Sequence, residues 1–166
     1  MMSYVSGSFR DPSASVCEVD GRIFRIIRPL GQPDYDFVKT TSFFKNSQES
    51  GRLIPCSEVP CSMVPEASDD DIVIEHPRIE CISYPYEWSF ECLKSAAILH
   101  LDLQIAALQE DIVFSDASAY NIQFTSGLPI FIDVTSLKRY KEGEPWIAHK
   151  QFCESFLAPL ILQAKK

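Results

Sequence analysis

Residues 114–137, FSDASAYNIQFTSGLPIFIDVTSL, restrict the choice of fold sharply. The runs NIQF and PIFIDV are short, apolar and rich in β-branched and aromatic residues, and TSGL between them contains a glycine. That pattern predicts two strands joined by a tight turn at Gly127. Three polar residues interrupt the apolar pattern. Asp116 and Asn121 are five positions apart before the first strand, and Asp133 ends the second. Carboxylates and a carboxamide at strand mouths have two physical uses. Asp and Asn cap turns through bonds from backbone N–H groups. Oxygen donors at adjacent loop ends can also share a hard cation such as magnesium.

The order of the remaining elements follows from periodicity and turn chemistry. VCEVDGRIFRII reads as two strands joined at Asp20-Gly21, a dipeptide suited to the positive φ angles of a two-residue hairpin. SGSFRDPSAS before it is turn-rich. GQPDYDFVKTTSFFKNSQESG predicts one helix, with Pro33 in its first turn, Phe37, Thr41 and Phe44 on one face, and Gly51 at its end. LIPCSEVPCSMVPEASDDD holds three prolines and an acidic run and reads as a linker. IVIEHPRI and ECISYP read as short strands. The longest helix is expected over residues 89–111, with Leu93, Ala97, Leu101, Ile105 and Leu108 as its stripe. His100, within it, reads as a hydrogen-bonded core residue, and the aromatic run Tyr84, Tyr86, Trp88 and Phe90 as packing between lobes. A last helix is expected from Trp146 to Leu162, bent or ended by Pro159. Strands and helices that segregate in this way define an α+β fold.

Composition narrows the function. Fifteen basic and 23 acidic residues give a net charge of −8. Nucleic acid and anionic membranes are therefore not expected partners, since both need a basic surface. The N-terminal residues lack the pattern of a signal peptide, and no apolar run approaches the roughly 20 residues of a membrane span. A cytoplasmic location is expected. The six cysteines form no Cys-x-x-Cys pair and read as reduced, mostly buried thiols.

The element order and DASAYN followed by IFIDV resemble the protein-kinase-like fold of small-molecule and aminoglycoside phosphotransferases. The resemblance implies a two-lobe fold, truncated in the large lobe. Residues 1–84 would form a β-rich small lobe with one helix and a linker. Residues 85–166 would form a partial helical lobe carrying the catalytic-loop-like hairpin. It further implies Asp116 as catalytic base, Asn121 and Asp133 as magnesium ligands, and ATP as the nucleotide. The family's glycine-rich loop and third-strand lysine have no counterpart. Arg25 is the candidate to pair the phosphates, Asp36 its candidate helix partner, and YPYE the candidate hinge.

YPYEWSF, SDASAYNIQF, PIFIDVTS and EGEPWIAHKQFCESFLAPL also resemble the N-terminal region of longer bacterial proteins described as class I SAM-dependent methyltransferases. This resemblance implies a methyltransferase domain or subunit as partner. No glycine-rich strand–turn–helix that would cradle SAM is present in this chain. Two functions follow: a metal–nucleotide-binding kinase-like domain, active or degenerate, that binds a nucleotide or small-molecule substrate, or a non-catalytic accessory module. Truncation would leave Leu157, Leu160 and Ile161 uncovered and favour a homo-oligomer.

Overall fold

The computed structural model describes residues 11–165 and the backbone of 2–4. Gly7 and the first half of the turn-rich stretch, residues 6–10, lie outside the described residues. Five antiparallel strands form one sheet in the order β1 (Met2–Tyr4), β2 (Ala14–Val19), β3 (Arg22–Ile27), β5 (Ile72–His76), β4 (Ser57–Val59). Asp20 and Gly21 make the β2–β3 turn at φ of 49° and 81°, as their side chains allow.

Alternation along β3 and β5 sorts the two faces of this sheet. The register places Arg25 opposite Ile74 and Ile23 opposite His76, so these side chains share the face turned toward the helices. Phe24, Ile26 and Val73 point the other way and form a second small core with Cys17 and Val64. Val64 belongs to the proline-rich stretch read as a linker. That stretch therefore covers the outer face of the sheet, and it also supplies β4. Asp71 anchors it, accepting from Arg28 at 2.7 Å and from the Ser68 backbone N–H at 2.8 Å.

The single helix expected after β3 is two: α1 (Gln32–Val38) and α2 (Ser42–Glu49). The break has a chemical cause. The Thr40 and Thr41 hydroxyls both donate to carbonyls of α1 at 2.7 Å. Thr41 Oγ1 also accepts from Phe44 N–H at 3.3 Å, which makes it the N-cap of α2. ECISYP is not a strand. Pro85–Glu87 is a 3₁₀ turn there.

Helix α3 (Phe90–Leu108), capped by Ser89, crosses the centre of the molecule. Its buried residues are Leu93, Ala96, Ala97, Leu99, His100, Leu103, Gln104 and Ala107. Leu101, Ile105 and Leu108, assigned to the inner stripe from spacing, are exposed instead, with Ile98 beside them. A helix apolar on most of its circumference has no unique inner face by periodicity, so tertiary contacts made the choice. They brought the small residues inward, where strands β6 (Ile112–Phe114) and β8 (Leu128–Phe131) pack close to the helix backbone.

The expected hairpin is present as β7 (Ile122–Thr125) and β8, with Ser126 and Gly127 at φ of 52° and 79°. A second ladder pairs β6 with β9 (Leu137–Arg139). The last helical stretch is interrupted. It runs from α4 (His149–Phe152) through a π turn (Cys153–Leu157) into α5 (Ala158–Ala164). Pro159 lacks the N–H for a regular i→i−4 bond, and the π turn before it absorbs the mismatch. Leu157 and Ile161 are exposed, whereas Leu160 packs on the main core.

Three other expectations change. His100 is fully buried, but neither ring nitrogen has a hydrogen-bond partner. It is held by aromatic rings, with Phe114, Phe131, Trp146, Phe152 and Phe156 centred within 5.1–6.0 Å. All six cysteines are free, yet only Cys17 is buried. Asp36 is not joined to Arg25. It pairs with Lys39 at 2.8 Å on the surface of α1. Among the described residues no helix is long and apolar enough to cross a membrane.

Candidate functional site

Two two-stranded ladders, separate from the five-stranded sheet, carry Asp116, Asn121 and Asp133 at their ends. Ile132 N–H donates to the Asn121 carbonyl at 2.8 Å, which extends the β7–β8 hairpin by one step. Asn121 therefore lies opposite Ile132, next to Asp133. Ser115 N–H donates to the Ser136 carbonyl at 2.8 Å, extending the β6–β9 ladder. Asp116 follows directly, so the loops carrying Asp116 and Asp133 leave adjacent ladder ends.

Arg25 reaches this point from the sheet. Its Nη1 donates to Asp133 Oδ1 and to Thr135 Oγ1, both at 2.6 Å, and its Nη2 to the Ile132 carbonyl at 3.2 Å. Thr135 Oγ1 in turn donates to Asp133 Oδ1 at 2.8 Å. The ion pair is largely buried, with 10% of the arginine and 20% of the aspartate side chain exposed. Both charges have lost most of their water, so removing either partner would leave an uncompensated ion, at a cost of about 3–5 kcal/mol.

Several polar groups around this pair lack partners. Arg25 Nε, the Asn121 carboxamide nitrogen and His76 Nε2 are buried without a hydrogen bond. His76 lies on the same sheet face as Arg25. Its Nδ1 is 3.0 Å from the Pro55 carbonyl, which can only accept, so Nδ1 carries the proton and Nε2 presents a bare lone pair. Burial, reinforced by the Arg25 charge, pushes the His76 pKa down to about 4 against the opposing pull of the Pro55 bond and Asp133. His76 is neutral at neutral pH.

Asp116 is half-buried, and its Oδ1 accepts from Ser118 N–H at 2.7 Å, closing a local turn. The loop is tied to α4 by Ala117 N–H donating to Gln151 Oε1 at 2.8 Å. Gln123, nearly fully buried on β7, holds the YPYE segment through two bonds to the Ser83 backbone at 2.9 and 3.0 Å. Thr135, Gln123 and His76 escaped the sequence reading. Of the three, only Thr135 had a local signal, a hydroxyl two residues after an aspartate.

The chemistry of this cluster is that of hard oxygen donors beside a fixed cation. Among the described residues, no three His, Cys, Asp or Glu side chains gather as a metal site. Asp133 Oδ2 and the Asn121 side chain have no hydrogen-bond partner among them. A carboxylate oxygen and a carboxamide oxygen suit magnesium, which keeps several waters and takes few protein ligands. The residues present thus fit that ion. Two open clefts are present: one of about 330 Å³ beside α2 and α3 around Phe43 and Arg52, away from this cluster, and one of about 350 Å³ around Cys56 and His76, which borders it.

The fold is of the protein-kinase type. The structure of vaccinia related kinase 3 superposes with a TM-score of 0.54 at 12% sequence identity, covering 86% of this chain and 50% of that one. In sequence, the chain is similar to the nodulation protein NoeA of Rhizobium meliloti (strain 1021), with 42% identity over 162 residues. That match takes in 96% of this chain and 33% of NoeA, so the chain spans a third of the length of this curated relative. No family model matches the sequence.

Proposed function

We propose that the chain is a kinase-like domain that binds a magnesium–nucleotide, ATP in the first instance, at the end of the β7–β8 hairpin. The observation that carries this reading is the Arg25–Asp133 pair at 2.6 Å, with Asn121, its carboxamide nitrogen unpartnered, across the ladder from Ile132 next to Asp133. A cation from the small-lobe sheet meets the carboxylate that follows the hairpin, where a phosphate chain needs both a positive partner and a metal ligand. Asn121 and Asp133 would hold magnesium, which would neutralise charge on the phosphate oxygens. Arg25 would pair with those oxygens, and Asp116 would act as the base toward an acceptor hydroxyl. Residues 1–84 and 85–166 act in this reading as the two lobes around the site.

Differential scanning fluorimetry with ATP, with and without magnesium, tests the proposal. A ligand that binds only the folded state at a hundred times its Kd stabilises it by about 2.7 kcal/mol. A magnesium-dependent rise in Tm that Asp133→Asn abolishes and Asp116→Asn preserves is expected. No shift with either ligand at millimolar concentration refutes it.

A second reading is a non-catalytic accessory module that serves a methyltransferase domain in longer relatives. It is favoured by one observation: Asp116 Oδ1 and both Arg25 Nη groups are already engaged within the fold. Under this reading Asp133→Asn and Asp116→Asn change stability alone.

A further inference from the structure

The aromatic run that reads as inter-lobe packing divides in two. Trp88 behaves as packing: it is half-buried, meets Phe124 edge-on at 5.1 Å, and donates its indole N–H to Ser83 Oγ at 2.9 Å. Tyr84 and Tyr86 do not. Their rings stack on each other at 5.5 Å with planes only 4° apart, and 43% and 74% of the two residues is exposed. Tyr120, from the loop between Asp116 and Asn121, adds a third ring 6.4 Å from Tyr84 and is 56% exposed. Three large rings from two separate loops meet at the surface, where burial gives no reason for them.

The platform is stiff. Glu87 closes the turn beneath it, accepting from Tyr84 N–H at 2.8 Å and donating its own N–H back to the Tyr84 carbonyl at 2.9 Å. Pro85 fixes the turn, and the paired bonds of Gln123 to Ser83 tie it to the hairpin. A surface ordered before binding loses little entropy when a partner arrives.

Its charge is one-sided. The segment carrying Tyr84 and Tyr86 holds Glu80 and Glu87, Lys94 beyond it is committed to Glu91 at 3.2 Å, and the loop carrying Tyr120 holds Asp116 and no Lys, Arg or His. Arg78, next to the first stretch, is committed to Glu18 at 2.9 Å. The Glu87 carboxylate sits at the edge of the stacked pair, accepting from Tyr84 N–H at 2.8 Å, and the Tyr86 phenol is held above its ordinary value by partial desolvation, then by Glu87, Tyr84 and Tyr120. Aromatic faces attract cations through the ring quadrupole, and a nearby carboxylate adds to the attraction. A phosphate backbone would be repelled from the same surface.

We propose that Tyr84, Tyr86 and Tyr120 form a docking platform for the arginine or lysine side chains of a basic polypeptide segment, beside the loop that carries Asp116. The platform acts without nucleotide, so its test is independent of the metal–nucleotide site.

Isothermal titration of the full chain with a synthetic peptide of alternating arginine and glycine decides the matter, with a citrulline-for-arginine peptide and a neutral oligosaccharide as comparisons. The arginine peptide is expected to bind and the citrulline peptide to fail. Tyr86→Ala and Tyr120→Ala should each weaken binding about tenfold, while Tyr86→Phe, which keeps the ring, stays within about twofold. Circular dichroism of the alanine variants should match the parent, since both side chains are exposed. The proposal is overturned if the arginine peptide does not bind. It is also overturned if the citrulline peptide binds equally well, or if the alanine variants bind as the parent does, which would leave net charge as the cause. Binding of the oligosaccharide, lost in Tyr86→Ala while the arginine peptide is unaffected, would assign the platform to sugars.

Discussion

His100 makes folding stability depend on pH. Burial alone lowers its pKa to about 4, because five aromatic rings surround a ring that can neither be hydrated nor paired when charged. In the unfolded chain it titrates near its ordinary value of 6.5. Above that value both states are neutral and the stability contribution is complete. As pH falls from about 6.5 toward 4, the unfolded chain takes up a proton that the folded chain refuses, so stability is lost through that window. The loss is about 2 kcal/mol at about pH 5 and about 3 kcal/mol once the folded ring also titrates. His76 is depressed to a similar value and adds a comparable loss. Together they remove about 4 kcal/mol near pH 5, a large part of the 5–15 kcal/mol typical of a domain. Carboxylates contribute mainly at lower pH. Although burial opposes it, Ser68 and Arg28 hold the Asp71 carboxyl below its ordinary range. Urea unfolding at a series of pH values between about 7 and 4.5 isolates the histidines, with the emission of Trp146, stacked 5.9 Å from His100, as probe. His100→Phe should halve the slope of stability against pH in this window, whatever it does to stability at pH 7. An unchanged slope in a folded variant refutes the assignment of half the acid sensitivity to this ring.

Gly31 bears on packing alone. A Cβ there would lie 2.9 Å from the Ser13 carbonyl and 3.2 Å from Ile27, so Gly31→Ala should cost about 1–3 kcal/mol in chemical denaturation. Thr41→Ala removes the cap that starts α2 and should cost about 1 kcal/mol by the same measurement. On the exposed face of α3, Ile105→Asp should leave the fold intact by circular dichroism, because 61% of that residue faces solvent. If that face mediates self-association, light scattering at high concentration should shift toward the monomer.

Local chemistry was legible wherever short-range geometry decides structure. Asp20-Gly21 and Ser126-Gly127 specify their turns because few residues accept positive φ, and two short apolar runs, NIQF and PIFIDV, around a glycine turn specify a hairpin. The class of fold followed from the order of such elements. The pairing of Thr40 and Thr41 was equally local, but its effect was not: a periodic pattern runs through both helices, and only competition for the α1 carbonyls splits them. Which face of α3 is inside was beyond the sequence, since apolar residues surround the helix and the neighbouring strands selected the small ones.

The polar cluster shows the same division. Spacing selected Asp116, Asn121 and Asp133 as a set, because a hairpin returns the chain to where it started. That Arg25, 108 positions earlier, would meet Asp133 through one carboxylate oxygen and Thr135 depended on how the sheet sits against the two ladders. The burial that makes His76 and His100 neutral is likewise a property of the packed chain. Desolvation is set by every element that closes around a group, whereas a turn is set by the residues within it.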